Sequence, residues 1–220
     1  MQTLYALEAV RLTLIPYLVP LETALAILGF VIYIYAIVKD RNRWDPEAAK
    51  PNKSTWVVWT VLQWLVAGTM LQAHALSNQI AIYALGDLIV VVLALRYGLP
   101  AGRILPRWRD WETVDRWSLL GAFAGIIVWC LTCNSLAGMV IGLAIVTIGS
   151  GPTYVKVWHH PKKESLLAWY VATATSFCAS LAIPQWTWED ALPPVCYLLV
   201  QASMTAVMLR PHRAVIAVKA

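Results

Sequence analysis

Apolar positions along the chain gather into seven runs, residues 21–38, 56–75, 80–95, 117–131, 136–151, 166–183 and 192–209, with short polar segments between them. Most are close to the roughly 20 residues that an α-helix, rising about 1.5 Å per residue, needs to cross a hydrocarbon core of about 30 Å. The pattern therefore predicts an all-α integral membrane protein with seven transmembrane helices. Ahead of the first run, Glu8 and Arg11 stand among apolar residues, with Pro16 and Pro20 behind them. Residues 2–15 are expected to form a short interfacial helix, with Pro20 starting the first span. This stretch has neither a basic leading region nor a small-residue cleavage site, so it is not read as a signal peptide.

The polar segments alternate in charge. Lys39, Arg41, Arg43, Lys50 and Lys53 follow the first run, and Arg96, Arg103, Arg107, Arg109 and Arg116 follow the third. Lys156, Lys162 and Lys163 follow the fifth, and Arg210, Arg213 and Lys219 end the chain. Seven crossings put 16 of the 17 Lys and Arg on one face, leaving only Arg11 on the other. The loops at 76–79, 132–135 and 184–190 carry no Lys or Arg. The positive-inside rule then predicts a multi-pass protein of the cell (inner) membrane, N-terminus outside and C-terminus cytoplasmic. Residues 103–116 interleave Trp108 and Trp111 with charges, as an interfacial helix on the inner leaflet does. Most of the 12 Trp lie near run ends, where an aromatic belt belongs.

Composition agrees: 60% of the 220 residues are hydrophobic and 13% charged, and the mean hydropathy is +0.62. No segment is left over for a soluble domain. The net charge of +5 sits in the loops where it sets topology, so no nucleic-acid partner is expected.

An internal repeat runs through the pattern. Pro51-Asn52-Lys53-Ser54-Thr55-Trp56-Val57-Val58-Trp59 opens the second run, and Pro161-Lys162-Lys163-Glu164-Ser165-Leu166-Leu167-Ala168-Trp169 opens the sixth with the same Pro-to-Trp spacing. Tyr83, Asp87 and Arg96 on the third run are matched by Tyr197, Gln201 and Arg210 on the seventh. Two three-helix units can run in the same direction only if an extra helix returns the chain across the membrane, and the fourth run is that helix. The expected organisation is an N-terminal segment 1–20, a first triple-helix repeat 21–98, an inner interfacial segment and linker helix 99–135, a second triple-helix repeat 136–210, and a cytoplasmic tail 211–220.

In this 3+1+3 order, with N outside and C inside, the chain resembles the SWEET and PQ-loop (MtN3-like) superfamily over about residues 21–210. Pro152-Thr153 looks like a degenerate Pro-Gln dipeptide, and the segment 151–165 is similar to an uncharacterised bacterial branch of PQ-loop-like proteins. The resemblance implies alternating access between two three-helix bundles and a solute site between the repeats. It also implies substrate contacts on the third and seventh spans, near Asp87 and Gln201, with Gly151 and Pro152 as a gating point. The equivalent place in the first span, Tyr35-Ala36, has no proline.

Asp87 is the ionisable side chain placed deepest in any run. A charge at that depth costs at least ~2.5 kcal/mol, so Asp87 is expected to face a polar interior, to be paired, or to be protonated, and it is the candidate for proton coupling. Tyr83 lies one turn earlier on the same face. Trp59 and Gln63 are one turn apart on the second run, and Trp169, Thr173, Ser176 and Ser180 form a stripe on the sixth. With Tyr197 and Gln201 they supply the rings and hydrogen-bonding groups that a small polar solute requires, though small and polar residues also serve ordinary helix packing in lipid. The partners this implies are a small polar solute and the lipid bilayer, with a homo-oligomer allowed and no cofactor.

A second class of reading rests on Cys130 and Cys133, a C-x-x-C at the outer end of the fourth run, with Cys178 and Cys196 on the same side. Such pairs suit a membrane thiol-disulfide oxidoreductase, although free Cys is also a common small apolar residue in helices. A third class is a non-transporting membrane subunit or receptor-like binder. His74 has no second mid-membrane His, and His159 and His160 sit in a basic loop, so no metal site is expected. The seventh run has no lysine for a retinal-type linkage, and phosphate-binding and nucleophile-elbow motifs are missing.

Overall fold

The computed structural model describes residues 2–41, 53–75, 77–98, 113–132 and 134–210, and among these every regular element is helical. The helices are α1 (Gln2–Arg41), α2 (Lys53–Gln72), α3 (Asn78–Gly98), α4 (Thr113–Thr132), α5 (Ser135–Gly149), α6 (Gly151–His159), α7 (Leu166–Leu181) and α8 (Trp188–Leu209), with a 3-10 turn at Pro161–Lys163 ahead of α7. Four stretches are long and apolar enough to cross a membrane: Glu8–Lys39, Asn78–Arg96, Ser135–His159 and Trp188–Leu209. The apolar helices Leu119–Thr132 and Leu166–Leu181 are shorter.

The expected break before the first span does not occur. α1 runs unbroken through Pro16 and Pro20 for 40 residues, so residues 2–15 are its first part rather than a separate helix. Each proline deletes one main-chain hydrogen bond, and the helix continues through both and on through Gly29. At 1.5 Å per residue α1 is about 60 Å long, roughly twice a hydrocarbon core. Of the interfacial segment expected over 103–116, residues 103–112 lie outside the described residues and 113–116 are the first turn of α4, and the tail 211–220 also lies outside them.

Side-chain caps open three of the helices. Asn134, Ser165 and Thr187 each turn a side-chain oxygen onto a backbone N–H three residues on, at Ala137, Ala168 and Asp190. These satisfy donors that would otherwise be orphaned in an apolar medium. At the other end of α7, Arg11 directs a guanidinium N–H to the carbonyls of Leu181, at 3.4 Å, and of Ile183. A cation there complements the helix dipole, and Glu8 holds Arg11 from the opposite side at 2.8 Å.

Six helices close a ring. α1 packs on α3, α3 on α2, α2 on α5, α5 on α8, α8 on α7, and α7 back on α1, while α4 leans on α5 and α2. This order is unchanged when α1 is exchanged with α5, α2 with α7 and α3 with α8. α3 thus sits between α1 and α2, and α8 between α5 and α7, while α1 touches α7 and α5 touches α2.

α3 is inside out by the standard of water. Leu85, Leu88, Ile89 and Val92 are exposed, while Tyr83 and Asp87 are buried on the face turned inward. An apolar exposed face suits hydrocarbon outside, and the buried face mixes Tyr83 and Asp87 with Ile80, Ala84, Val90, Val91 and Ala94. Gly86 lets α3 approach α1 closely, because a Cβ added there would lie 2.4 Å from the Phe30 ring. Gly86→Ala is therefore expected to lower the melting temperature in detergent, overpacking of this kind costing about 1–3 kcal/mol. Phe30→Leu should recover part of the loss, and no recovery would place the cost elsewhere.

Candidate functional site

A cavity lies inside the ring, walled by α1, α2, α3, α7 and α8. Its volume is about 70 Å³, well above the roughly 10–15 Å³ needed to admit one water. α1 contributes Phe30 and Tyr33, α2 Trp56, Trp59 and Gln63, α3 Tyr83 and Asp87, α7 Trp169 and Thr175, and α8 Tyr197. Ala26, Gly29, Ala168 and Ala172 leave the space that these larger side chains frame.

The rings form a linked wall. Tyr33 meets Trp56 at 5.0 Å between centroids, Trp56 meets Trp59 at 5.2 Å, and Trp59 meets Trp169 edge-on at 6.0 Å. Phe30 meets Tyr83 at 5.7 Å, and Tyr83 meets Tyr197 at 5.6 Å, both edge-on. Such contacts add about 0.5–1.5 kcal/mol each beyond area burial and hold the wall in place. Trp59 with Trp169, and Tyr83 with Tyr197, are the residues that the sequence repeat equates, and each pair touches.

Asp87 is only 5% exposed. Among the described residues no hydrogen bond or ion pair reaches its carboxyl group, which stands at the cavity wall. A second polar atom is similarly unspent: Trp169, 6% exposed, has no hydrogen-bond acceptor for its buried indole Nε1. Its repeat partner Trp59 donates to the carbonyl of Val146 at 3.1 Å. This asymmetry is measurable. Trp59→Phe gives up a made bond and Trp169→Phe does not, so the first should destabilise more than the second by about 1 kcal/mol. Equal losses would mean that the Val146 bond contributes nothing net.

On the far side of Tyr83 the polar groups bond to one another, with Gln79 Oε1 left buried and without a partner among the described residues. Gln79 Nε2 donates to Ser176 Oγ at 2.5 Å, Ser176 Oγ to Gln201 Oε1 at 2.6 Å, and Gln201 Nε2 to the Tyr83 hydroxyl at 3.1 Å. The Tyr197 hydroxyl donates to Gln63 Oε1, and Gln63 Nε2 to the carbonyl of Ile80 at 3.5 Å. Glu22, 3% exposed, accepts the backbone N–H of Gln79 at 2.7 Å and so caps the first turn of α3 with a carboxylate.

At the opposite end of the cavity the Tyr33 hydroxyl donates to Glu164 at 2.9 Å, and Lys156 pairs with the other oxygen of Glu164 at 2.9 Å. One carboxylate thereby ties α1 to α6 and to the turn before α7.

Six of the nine binding residues read from the sequence line the cavity: Trp59, Gln63, Tyr83, Asp87, Trp169 and Tyr197. Ser176 and Gln201 stand behind Tyr83 in the bonded network, and Thr173 turns away to Thr205 at 3.0 Å. Tyr33, Trp56, Thr175, Glu22 and Glu164 were not singled out as site residues by the sequence reading. Trp56 and Glu164 belong to the repeated motif, and that was the signal for them. At Gly151 and Pro152, the point expected to gate, α5 ends at Gly149 and α6 restarts at Gly151, with buried Pro152 in its first turn. The proline withholds the N–H that would carry the helix on. Thr153 reaches across to Thr55 of α2 at 3.2 Å.

Cys133 lies outside the described residues, Cys130 is exposed, and Cys178 and Cys196 are thiols. Among the described residues no group of three or more His, Cys, Asp or Glu gathers as metal ligands. No family model, curated protein or solved structure matches the chain.

Proposed function

We propose that this protein is a SWEET/PQ-loop-like membrane carrier of a small polar solute, working by alternating access between two three-helix bundles. The bundles are α1–α3 and the α5–α6, α7 and α8 group, with α4 as the returning linker of a seven-span, 3+1+3 arrangement. The observation that carries this reading is the cavity at the centre of an exchange-symmetric ring, with a buried, unpartnered Asp87 in its wall. Alternating access needs a central site that two similar halves can expose in turn, and the contact of Trp59 with Trp169 and of Tyr83 with Tyr197 supports such a seam.

In this mechanism Asp87 takes a proton on one side of the membrane and releases it on the other. The break at Ser150 and Pro152 gives the second bundle its bending point, and the Glu164 bonds to Tyr33 and Lys156 close one end. The carrier sits in the cell inner membrane, N-terminus outside and C-terminus cytoplasmic. A reporter fused to the C-terminus should therefore be cytoplasmic, and a cysteine placed in the loop 184–190 should be labelled by impermeant reagent from outside. Both termini on one face would end the 3+1+3 arrangement. The direct functional test is transport by purified protein in liposomes carrying a trapped pH dye, challenged with sugars, amino acids and ammonium compounds. Solute-dependent proton movement is expected, and its absence for every class would overturn the carrier reading.

A further inference from the structure

We infer that the solute is a small organic ammonium ion that also carries an acceptor oxygen, its cationic head held by the Asp87 carboxylate and the surrounding rings. This deepens the carrier reading by naming the solute class, and rests on it for the location of the site.

The first ground is charge. Asp87 is buried at the cavity wall, and among the described residues nothing pairs with it. Among the described residues no Lys, Arg or His lines the cavity. A carboxylate taken out of water needs a counter-charge, and the cavity offers the place for one.

The second ground is the wall. Tyr33, Trp56, Trp59 and Trp169 make a continuous run of rings around the same space. Ring faces attract a cation through their quadrupole, most strongly where water is excluded, and an aromatic cage is how quaternary ammonium heads are recognised.

The third ground argues against a neutral sugar-like solute. A polyol needs several uncommitted donors and acceptors, since each hydroxyl it buries must be matched. Here those groups are committed to one another: Gln63 to Tyr197 and Ile80, and Gln201 to Ser176 and Tyr83. Two polar groups of the lining residues have no hydrogen-bond partner among the described residues, the Asp87 carboxyl and the buried Trp169 indole N–H. One suits a cation, and the other donates to a single oxygen. The small cavity volume, about 70 Å³, points to a molecule of few heavy atoms.

Ammonium and proton then compete for one carboxylate, which gives the coupling a physical basis. The titratable groups facing Asp87 are the phenols Tyr33 of α1, Tyr83 of α3 and Tyr197 of α8. Glu164 lies behind Tyr33, and the lining residues of α2 and α7 carry no charge. Asp87 is thus the acid in the cavity wall at which a proton and a cation exclude one another.

The test uses purified full-length protein in detergent, with choline as the probe. Its neutral carbon isostere 3,3-dimethylbutan-1-ol and glucose are the controls, and binding is read by thermal shift and calorimetry. Choline should stabilise the fold and bind about tenfold or more tighter than the isostere. Asp87→Asn should lose choline binding, with its ligand-free melting temperature as the folding control. Trp169→Phe should keep the fold and bind choline several-fold more weakly. Equal binding of choline and the isostere, undiminished binding by Asp87→Asn, or no choline effect would each overturn the inference. Stabilisation by glucose instead would remove the ammonium class and leave the carrier standing. Choline binding without solute-driven flux in liposomes would remove the carrier and leave the cation site standing.

Discussion

Asp87→Asn is expected to abolish solute-dependent proton movement in liposomes while leaving the protein folded. Asparagine keeps the shape and volume of the side chain, so the neighbouring rings of Tyr33, Tyr83 and Tyr197 have no reason to move. It accepts no proton and has no charge to balance a cation. The native carboxyl has no hydrogen-bond partner among the described residues whose loss would destabilise the fold. Removing an unpartnered buried acid should be neutral or stabilising, the opposite of removing a bonded one. The trapped-dye signal should fall to that of empty liposomes. Pre-loaded exchange of the same solute distinguishes the outcomes further: a neutral solute still exchanges in the variant, whereas an ammonium solute does not. A variant that moves protons with unchanged pH dependence would make Asp87 a structural residue only.

Asp87 and Tyr83 were legible because a helical period brings them to one face whatever the neighbours, and α3 keeps that period. Trp59, Trp169 and Tyr197 were legible through the matched spacings of the sequence, and the pairs those spacings equate, Trp59 with Trp169 and Tyr83 with Tyr197, do meet. Thr173 shows the limit of stripe reading. It lies one turn beyond Trp169 on α7, but the helix turns it toward Thr205 of α8, and Thr175 faces the cavity instead. Spacing fixes which residues share a face, and only packing against α1 and α8 decides where that face points. Glu22 was illegible for another reason. It stands at the end of an apolar run, where an acid reads as interfacial, and its partner is the backbone N–H of Gln79, which leaves no mark in side-chain sequence. The run through Pro16 and Pro20 was hidden because a proline signal is a local cost, and the length of apolar helix around it outweighs that cost.

Replacing Lys156 by Met should destabilise the protein strongly, and adding Glu164→Gln should recover most of the loss. The Glu164 side chain is 2% exposed and that of Lys156 17%, with 2.9 Å between the charged atoms. Deleting the cation leaves a carboxylate buried against Tyr33 with one neutral donor, and breaking a buried pair in this way costs about 3–5 kcal/mol. Neutralising both partners avoids that cost, because the Gln amide oxygen still accepts from the Tyr33 hydroxyl and no charge remains to be solvated. The double variant should therefore melt much closer to the wild type than the single variant, which a thermal series in one detergent reads directly. The same comparison reaches the cavity, since Tyr33 both lines it and is held by Glu164. Loosening that bond frees the ring at one end of the aromatic wall, so the Lys156 variant should label faster than the wild type at a cysteine placed at Ala168. If the double variant is no more stable than the single one, the stability lies in the Lys156 stem and its other contacts, and the closure of this end does not depend on the charge pair.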